Sequence, residues 1–273
     1  MKSFNMRMTT SALALISLVA TGTASAAGVF QEFTINETIV PGVTDSAYSA
    51  VVADKLNGGY VEQLTIGNIP DASGNLAFET WGYATFSALY ANDGADVVDA
   101  YLGSAGGSGY LIRALFYSTG LYNTTTNLFT GATATFSMYI DADKNTGINW
   151  GADASVDPTL TNTSDDFLLG TATNPTKLAG IPGTPGAFDF IWDNFLLTDE
   201  AGDQDGNGYF IAPRPFHLVF NSNGDFDRAS FGPGTTTVTG DISGVFMVPE
   251  PGTTALLGLG VLALGRFASR RKV

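Results

Sequence analysis

Oxygen-bearing side chains gather at two places in this chain of 273 residues. Asp141, Asp143 and Asn145 alternate in Asp141-Ala-Asp-Lys-Asn-Thr-Gly147, and side chains at alternate positions of a turn converge in the way that hard cations such as calcium require. Asp153 is a possible later ligand of the same loop. Asp203, Asp205 and Asn207 repeat the spacing, with Gly208 at the sixth position and Asp199 and Glu200 just before them. Neither loop is an EF-hand: the first has Thr146 at position six and Ala152 at position twelve, and the second has Arg214 where the bidentate Glu belongs. The alternative for each is a solvated Asx turn closing a hairpin. A third run, Asn221-Ser-Asn-Gly-Asp-Phe-Asp227, reads as a plain turn. Calcium is therefore the one cofactor the sequence suggests.

Catalytic constellations are sparse. Asp165 with Asp166, or Asp189 with Asp193, has the composition of a glycosidase pair, yet nothing selects either from the many acids. The one histidine, His217, lies between Phe216 and Leu218 in an alternating segment, and no G-x-S-x-G elbow supplies a nucleophile. The chain has no Cys, which excludes disulfides, zinc-thiolate centres and thiol catalysis. The glycine-rich run from Gly103 to Gly109 lacks the Lys of a phosphate-binding loop. Among the three tryptophans, Trp150 beside the first acidic loop is the candidate sugar platform, because Trp81 and Trp192 fall within strand patterns.

These residues must be held by strands. Period-two alternation is plainest from Ala132 to Ile140 and recurs over Phe188–Trp192 and Phe216–Phe220. Further strands are predicted over Val29–Thr38, Tyr48–Leu56, Tyr60–Ile66, Leu76–Tyr90, Tyr110–Tyr117, Phe167–Thr171 and Thr236–Phe246. Breakers at Asn57-Gly-Gly, Asp71-Ala-Ser-Gly, Asn92-Asp-Gly and Pro182-Gly-Thr-Pro-Gly separate them, and 91–109 reads as a loop. No crossover helices and no 20–50-residue repeat are evident. The expected fold is all-β, an antiparallel β-sandwich of jelly-roll or immunoglobulin-like type.

The ends read as addresses. Lys2 and Arg7, the apolar run Ala12–Ala20 and small residues at Ala24 and Ala26 make a secretory signal peptide over 1–26, handled by the Sec translocon and signal peptidase, with a mature start at Ala27. The ectodomain is then 27–247, and 248–273 is a sorting segment. Its apolar stretch Gly252–Gly265 spans about 21 Å, short of a bilayer's roughly 30 Å, and the basic end places it as a transmembrane helix held briefly with its tail in the cytoplasm.

The chain has 12 basic and 26 acidic residues, a net charge of −14. Six of the bases (Lys2, Arg7, Arg266, Arg270, Arg271, Lys272) and only Glu250 of the acids lie in the two end segments. Residues 27–247 therefore hold 25 acids against six bases, a formal −19. Nucleic acid is excluded as a partner, since no basic stripe is available.

Val248, Pro249, Glu250 and Pro251, the hydrophobic Gly252–Gly265 and the basic Arg270, Arg271 and Lys272 together resemble the PEP-CTERM sorting signal of Gram-negative bacteria. Arg266 interrupts the apolar run earlier than that pattern. The resemblance implies an exosortase as partner, cleavage near the motif, and a cell-surface or extracellular-matrix destination after a transient inner-membrane stage. The segments Ala27–Glu37, Ala53–Glu62 and Gly206–Asp227 are similar to flocculation-associated PEP-CTERM proteins. That likeness implies a non-enzymatic role in aggregation or biofilm, with anionic exopolysaccharide as partner and shared calcium as the bridge. A polysaccharide-active hydrolase and a carbohydrate-binding module are the rival readings.

Overall fold

A computed structural model describes residues 30–105, 107, 109–173, 177–182, 186–196, 207–212, 217–226 and 232–247, with backbone alone for 177–182, 186–196, 217–226 and 246–247. The expected signal peptide and sorting segment lie outside the described residues. The described residues form fifteen strands: β1 Phe33–Ile35, β2 Val51–Ala53, β3 Lys55–Pro70, β4 Asn75–Ala91, β5 Asp96–Val97, β6 Leu111–Asn123, β7 Leu128–Asp141, β8 Gly147–Asn149, β9 Thr159–Thr161, β10 Asp166–Thr173, β11 Lys177–Pro182, β12 Gly186–Leu196, β13 Phe210–Ala212, β14 His217–Phe226 and β15 Gly234–Met247. Helical structure among the described residues is confined to two 3-10 turns, Glu37–Ile39 and Ser46–Ala50.

The long strands alternate inward apolar with outward polar residues, and each hairpin brings the next strand into antiparallel register. β3, β4, β6 and β7 pair in chain order. β7 then meets β10 along Thr135–Asp141 and β11 at Phe129 and Thr130, so those two strands follow one another along its edge. β11 pairs β12, β12 pairs β14, β14 pairs β15, and β15 returns to β3 over twelve residues, Gly234 to Val245. The ladder thus closes into a ring of eight strand positions. The all-β, antiparallel architecture expected from the alternation is present. Neighbours follow chain order, so the described strands lack the Greek-key crossings of a jelly-roll or immunoglobulin-like sandwich.

A ring of eight leaves an interior that side chains can just fill. Tyr60, Leu64 and Ile66 of β3, Phe78 and Phe86 of β4, Ile112 and Phe116 of β6, Phe136, Met138 and Ile140 of β7, and Val238 and Ile242 of β15 do so, each at most 5% exposed. Phe78 and Phe129 meet edge to face, 5.3 Å between centroids. Where space runs out, glycine is required: a Cβ on Gly82 would fall 1.8 Å from the Phe116 ring. The small sheet β13-β1-β2 adds Phe33, Ile35 and Phe210 to the same core.

Several stretches depart from the expected pattern. Asn221–Phe226, expected as a turn, continues β14 because β12 and β15 pair with it from either side, and Asp96–Val97, expected within a loop, forms β5 against the end of β4. Asn57-Gly-Gly does not end a strand but runs on through β3, opposite a bulge in β4 where Ser87 is left without a partner between Phe86, paired with Gly58, and Ala88, paired with Asn57. Tyr48, expected in a strand, lies in a 3-10 turn whose N-cap is Asp45, its side chain accepting from the Ala47 N–H at 2.9 Å. Asn92-Asp-Gly is a turn as expected, with all three residues at positive φ.

Candidate functional site

The first acidic loop begins at the end of β7 and opens the 24-residue connection, 142–165, to β10. The β8–β9 hairpin within that connection lies over the outer face of β3 and β4 as a strap. Gln63 Nε2 donates to the Gly151 carbonyl (3.0 Å), the Ala154 N–H donates to Thr65 Oγ1 (2.9 Å), and Tyr83 Oη donates to the Thr146 carbonyl (3.0 Å). Trp150 sits half-buried in this strap.

The register of β10 on β7 sets Asp166 opposite Asp141. Oxygens of Asp141, Asp165 and Asp166 consequently lie within 4.8 Å of one another, the one such group of three acids among the described residues. The sequence-predicted ligand Asp141 belongs to it, 2% exposed. Asp143 reaches the group through its backbone, whose N–H donates to Asp165 Oδ2 at 2.7 Å. Asn145 does likewise, donating its N–H to Asp141 Oδ1 (3.1 Å), and the Thr146 N–H donates to Asp141 Oδ2 (3.0 Å). The loop spacing therefore serves the turn, and the second and third carboxylates come from 24 and 25 residues downstream. Asp203 and Asp205 lie outside the described residues. Asn207 is described, at positive φ, its amide donating to the Leu168 carbonyl at 2.7 Å.

A buried cation shares the acidic group. Arg113 places Nη2 2.5 Å and Nε 2.8 Å from Asp166 Oδ2, both side chains only 3% exposed, while its guanidinium carbon stands 4.0 Å from the centre of the Tyr139 ring. Thr146 Oγ1 also donates to Asp166. Three carboxylates and one guanidinium leave a formal charge of −2. Asp165 Oδ1 and Arg113 Nη1 are buried with no hydrogen-bond partner among the described residues. A hard divalent cation matches both the oxygen donors and the residual charge.

Three further polar features escaped the motif search. Glu37, fully buried, accepts from the Tyr101 N–H (3.0 Å), the Leu102 N–H (3.0 Å) and the Tyr110 hydroxyl (2.8 Å), and Tyr110 is hydrogen-bonded to Tyr209 at 2.6 Å. Burial, with the neighbouring phenol and carboxylate, holds the Tyr110 hydroxyl well above the usual phenol range. Glu62 points into the ring from β3, where burial pushes its carboxyl up to about 7 against a smaller opposing contribution from Thr80, whose hydroxyl donates to it. Alternation with Tyr60 and Leu64 is the sequence signal that places it inward. Finally, a cavity of about 470 Å³ is lined by Phe30, Gln31, Glu32, Asp54, Asn92 and Asp93. Its innermost acid, Asp54, accepts the N–H groups of Asp93 and Gly94 and so fastens the β4–β5 turn.

Of the carboxylate pairs weighed for catalysis, Asp165 and Asp166 belong to this group, with Asp166 engaged by Arg113 and Thr146. Asp189 and Asp193 lie on β12, and His217 opens β14; each is placed by its backbone alone.

No curated protein matches the chain, and no solved structure does. One family model matches: residues 248–272 fit the PEP-CTERM protein-sorting motif. That motif covers Val248 to Pro251, the apolar stretch and Arg270 to Lys272. It implies exosortase processing, export and anchoring at the cell surface of a Gram-negative bacterium, so the chain carries a PEP-CTERM sorting signal behind an all-β domain.

Proposed function

We propose that this is a non-catalytic surface protein that, after exosortase processing, promotes bacterial aggregation, in flocs or biofilm, together with exopolysaccharide. The sorting motif at 248–272 is the observation that carries the reading. The acidity of the domain supports the rest. A surface with a formal −19 repels an anionic polysaccharide unless cations intervene, and the Asp141, Asp165 and Asp166 carboxylates with the Arg113 guanidinium form a group whose formal −2 one calcium ion balances. Calcium would both brace the strap and supply the bridging charge.

Two measurements test this. The intact mass of the exported protein should correspond to loss of the residues beyond the Val248–Pro251 motif; a mature chain still ending at Val273 refutes the processing claim. A strain lacking the protein should secrete polysaccharide yet grow dispersed, and normal flocs in that strain refute the matrix role. For the cation, the melting temperature should rise between EDTA and millimolar calcium, because a ligand that binds the folded state alone stabilises it. An unmoved melt removes calcium from the proposal.

A further inference from the structure

Gly58 and Gly59 adjoin near the start of β3 for different reasons. A Cβ on Gly58 would fall 1.9 Å from the Thr85 carbonyl oxygen, so packing forbids a side chain there. A Cβ on Gly59 would meet only the Gly240 carbonyl oxygen, at an ordinary 3.6 Å, and its φ is one that L residues adopt. Neither backbone nor packing calls for glycine at position 59. A glycine inside a strand weakens it and recurs where a ligand approaches the sheet closely.

The space Gly59 leaves is a groove of about 450 Å³ across β15, β3 and β4, lined by Gly59, Val61, Tyr83, Thr85, Ser87 and Thr239, with backbone of Tyr60 and Gly240 in its floor. That volume falls within the usual range of small-ligand sites, about 300–1,000 Å³. Tyr83 forms a wall, and its hydroxyl is tied to the Thr146 carbonyl of the strap, so the ring is fixed before anything binds. Opposite and beside it stand three hydroxyls. Among the described residues no Lys, Arg, Asp or Glu lines the groove, while Asp241, in register with Gly59 on β15, stands at the next position along the rim.

We propose that this groove is a binding subsite for a neutral sugar residue of a polysaccharide. The phenol face of Tyr83 takes the C–H face of a pyranose ring, and Thr85, Ser87 and Thr239 exchange hydrogen bonds with its hydroxyls. An adjacent carboxylate on a strongly acidic domain disfavours a uronate in the same place. The inference rests on the matrix reading above and names the surface through which the polysaccharide is held.

The test is calorimetric titration of the exported, processed protein with maltohexaose, cellohexaose and laminarihexaose, and with hexagalacturonate as the charged comparison. Saturable binding of at least one neutral hexasaccharide is expected, weakened at least tenfold in Gly59→Val, which should melt no lower than the wild type because valine suits a strand. Thr239→Leu, filling the groove from β15, should weaken binding similarly, so the outcome does not hang on one variant. No binding of any neutral oligosaccharide, binding unchanged in both folded variants, or binding of hexagalacturonate alone overturns the proposal. A floc-defective deletion strain whose wild-type protein binds no sugar removes the groove and leaves the matrix role standing. Normal flocs from that strain remove the matrix role instead.

Discussion

Glu62 is the residue whose titration should be visible in the stability of the whole domain. It lies on the inward face of β3, 8% exposed, with the Thr80 hydroxyl as its hydrogen-bond donor and no paired cation among the described residues. Burial raises its carboxyl from the ordinary 4.5 to about 7. The folded protein therefore holds a proton that the unfolded chain releases, and between those two pH values folding takes up a proton. Its contribution is fully present below about pH 4.5, falls as pH rises, and is lost once pH passes about 7. At 1.36 kcal/mol per pH unit, a window of about 2.5 units corresponds to about 3 kcal/mol. Glu62→Gln keeps an acceptor for Thr80 and removes the charge. Urea unfolding of wild type and variant at half-unit intervals from pH 4.5 to 8 isolates the effect, because every other titrating group cancels in the difference. The variant should match the wild type near pH 4.5 and exceed it by about 3 kcal/mol at pH 8. A difference that does not vary with pH, or one that favours the wild type as pH rises, refutes the reasoning.

Glu37→Ala strips three buried donors of their acceptor, the N–H groups of Tyr101 and Leu102 and the Tyr110 hydroxyl, and should cost about 3–5 kcal/mol in urea unfolding; Tyr110→Phe, which removes one hydroxyl, should cost about 1 kcal/mol. Gly58→Ala should destabilise by more than about 2 kcal/mol or abolish folding, since its Cβ would meet backbone at 1.9 Å, whereas Gly59→Ala should be neutral in the same thermal melt. Arg113→Met leaves the buried Asp166 carboxylate uncompensated and should lose about 3–5 kcal/mol in EDTA. If a cation occupies the acidic group, millimolar calcium should restore more of that loss than it adds to the wild type; equal calcium shifts in the two proteins would separate the ion from this site.

What sequence could and could not place follows from how far apart the deciding residues lie. β4 and β7 were legible almost to their ends, because alternation is local and both strands have one wet and one dry face. β3 reads as broken at Asn57-Gly-Gly, since glycine carries the same letter whether it ends a strand or continues one against a close neighbour. Only the Thr85 carbonyl 1.9 Å from where a Cβ would sit tells the two apart. β11, Lys-Leu-Ala-Gly-Ile-Pro, has too little alternation to declare itself and is a strand because β7 and β12 flank it. The acidic group follows the same rule. Asp141 was visible as the head of an Asx-rich loop, but its partners depend on which β10 residue faces it, and that is fixed by strand register. Glu62 was readable from its neighbours and was passed over because a search for chemistry looks to loops.

Ring closure bears on the proposed matrix role. A matrix component is crowded against its own copies, and an open sheet edge in that setting invites strand-to-strand pairing. Here β15 seals onto β3 over twelve residues and β6 bridges β4 to β7. β5, at the end of the ladder, is two residues long, and the strands of the small sheet have three each. Among the described strands of the main ladder, β10, eight residues paired to β7 alone, is the one long strand with an open side, so strand addition could run there and is disfavoured elsewhere. Cohesion that does not use the β10 edge runs through side-chain surfaces. Those surfaces are mostly acidic, repelling both one another and an anionic glycan unless a divalent ion is shared, and the groove beside Gly59 provides a place where an uncharged sugar can seat without such help. The two routes separate in one assay. Chelation should weaken aggregation held by shared cations and leave groove binding intact, while Gly59→Val should do the reverse.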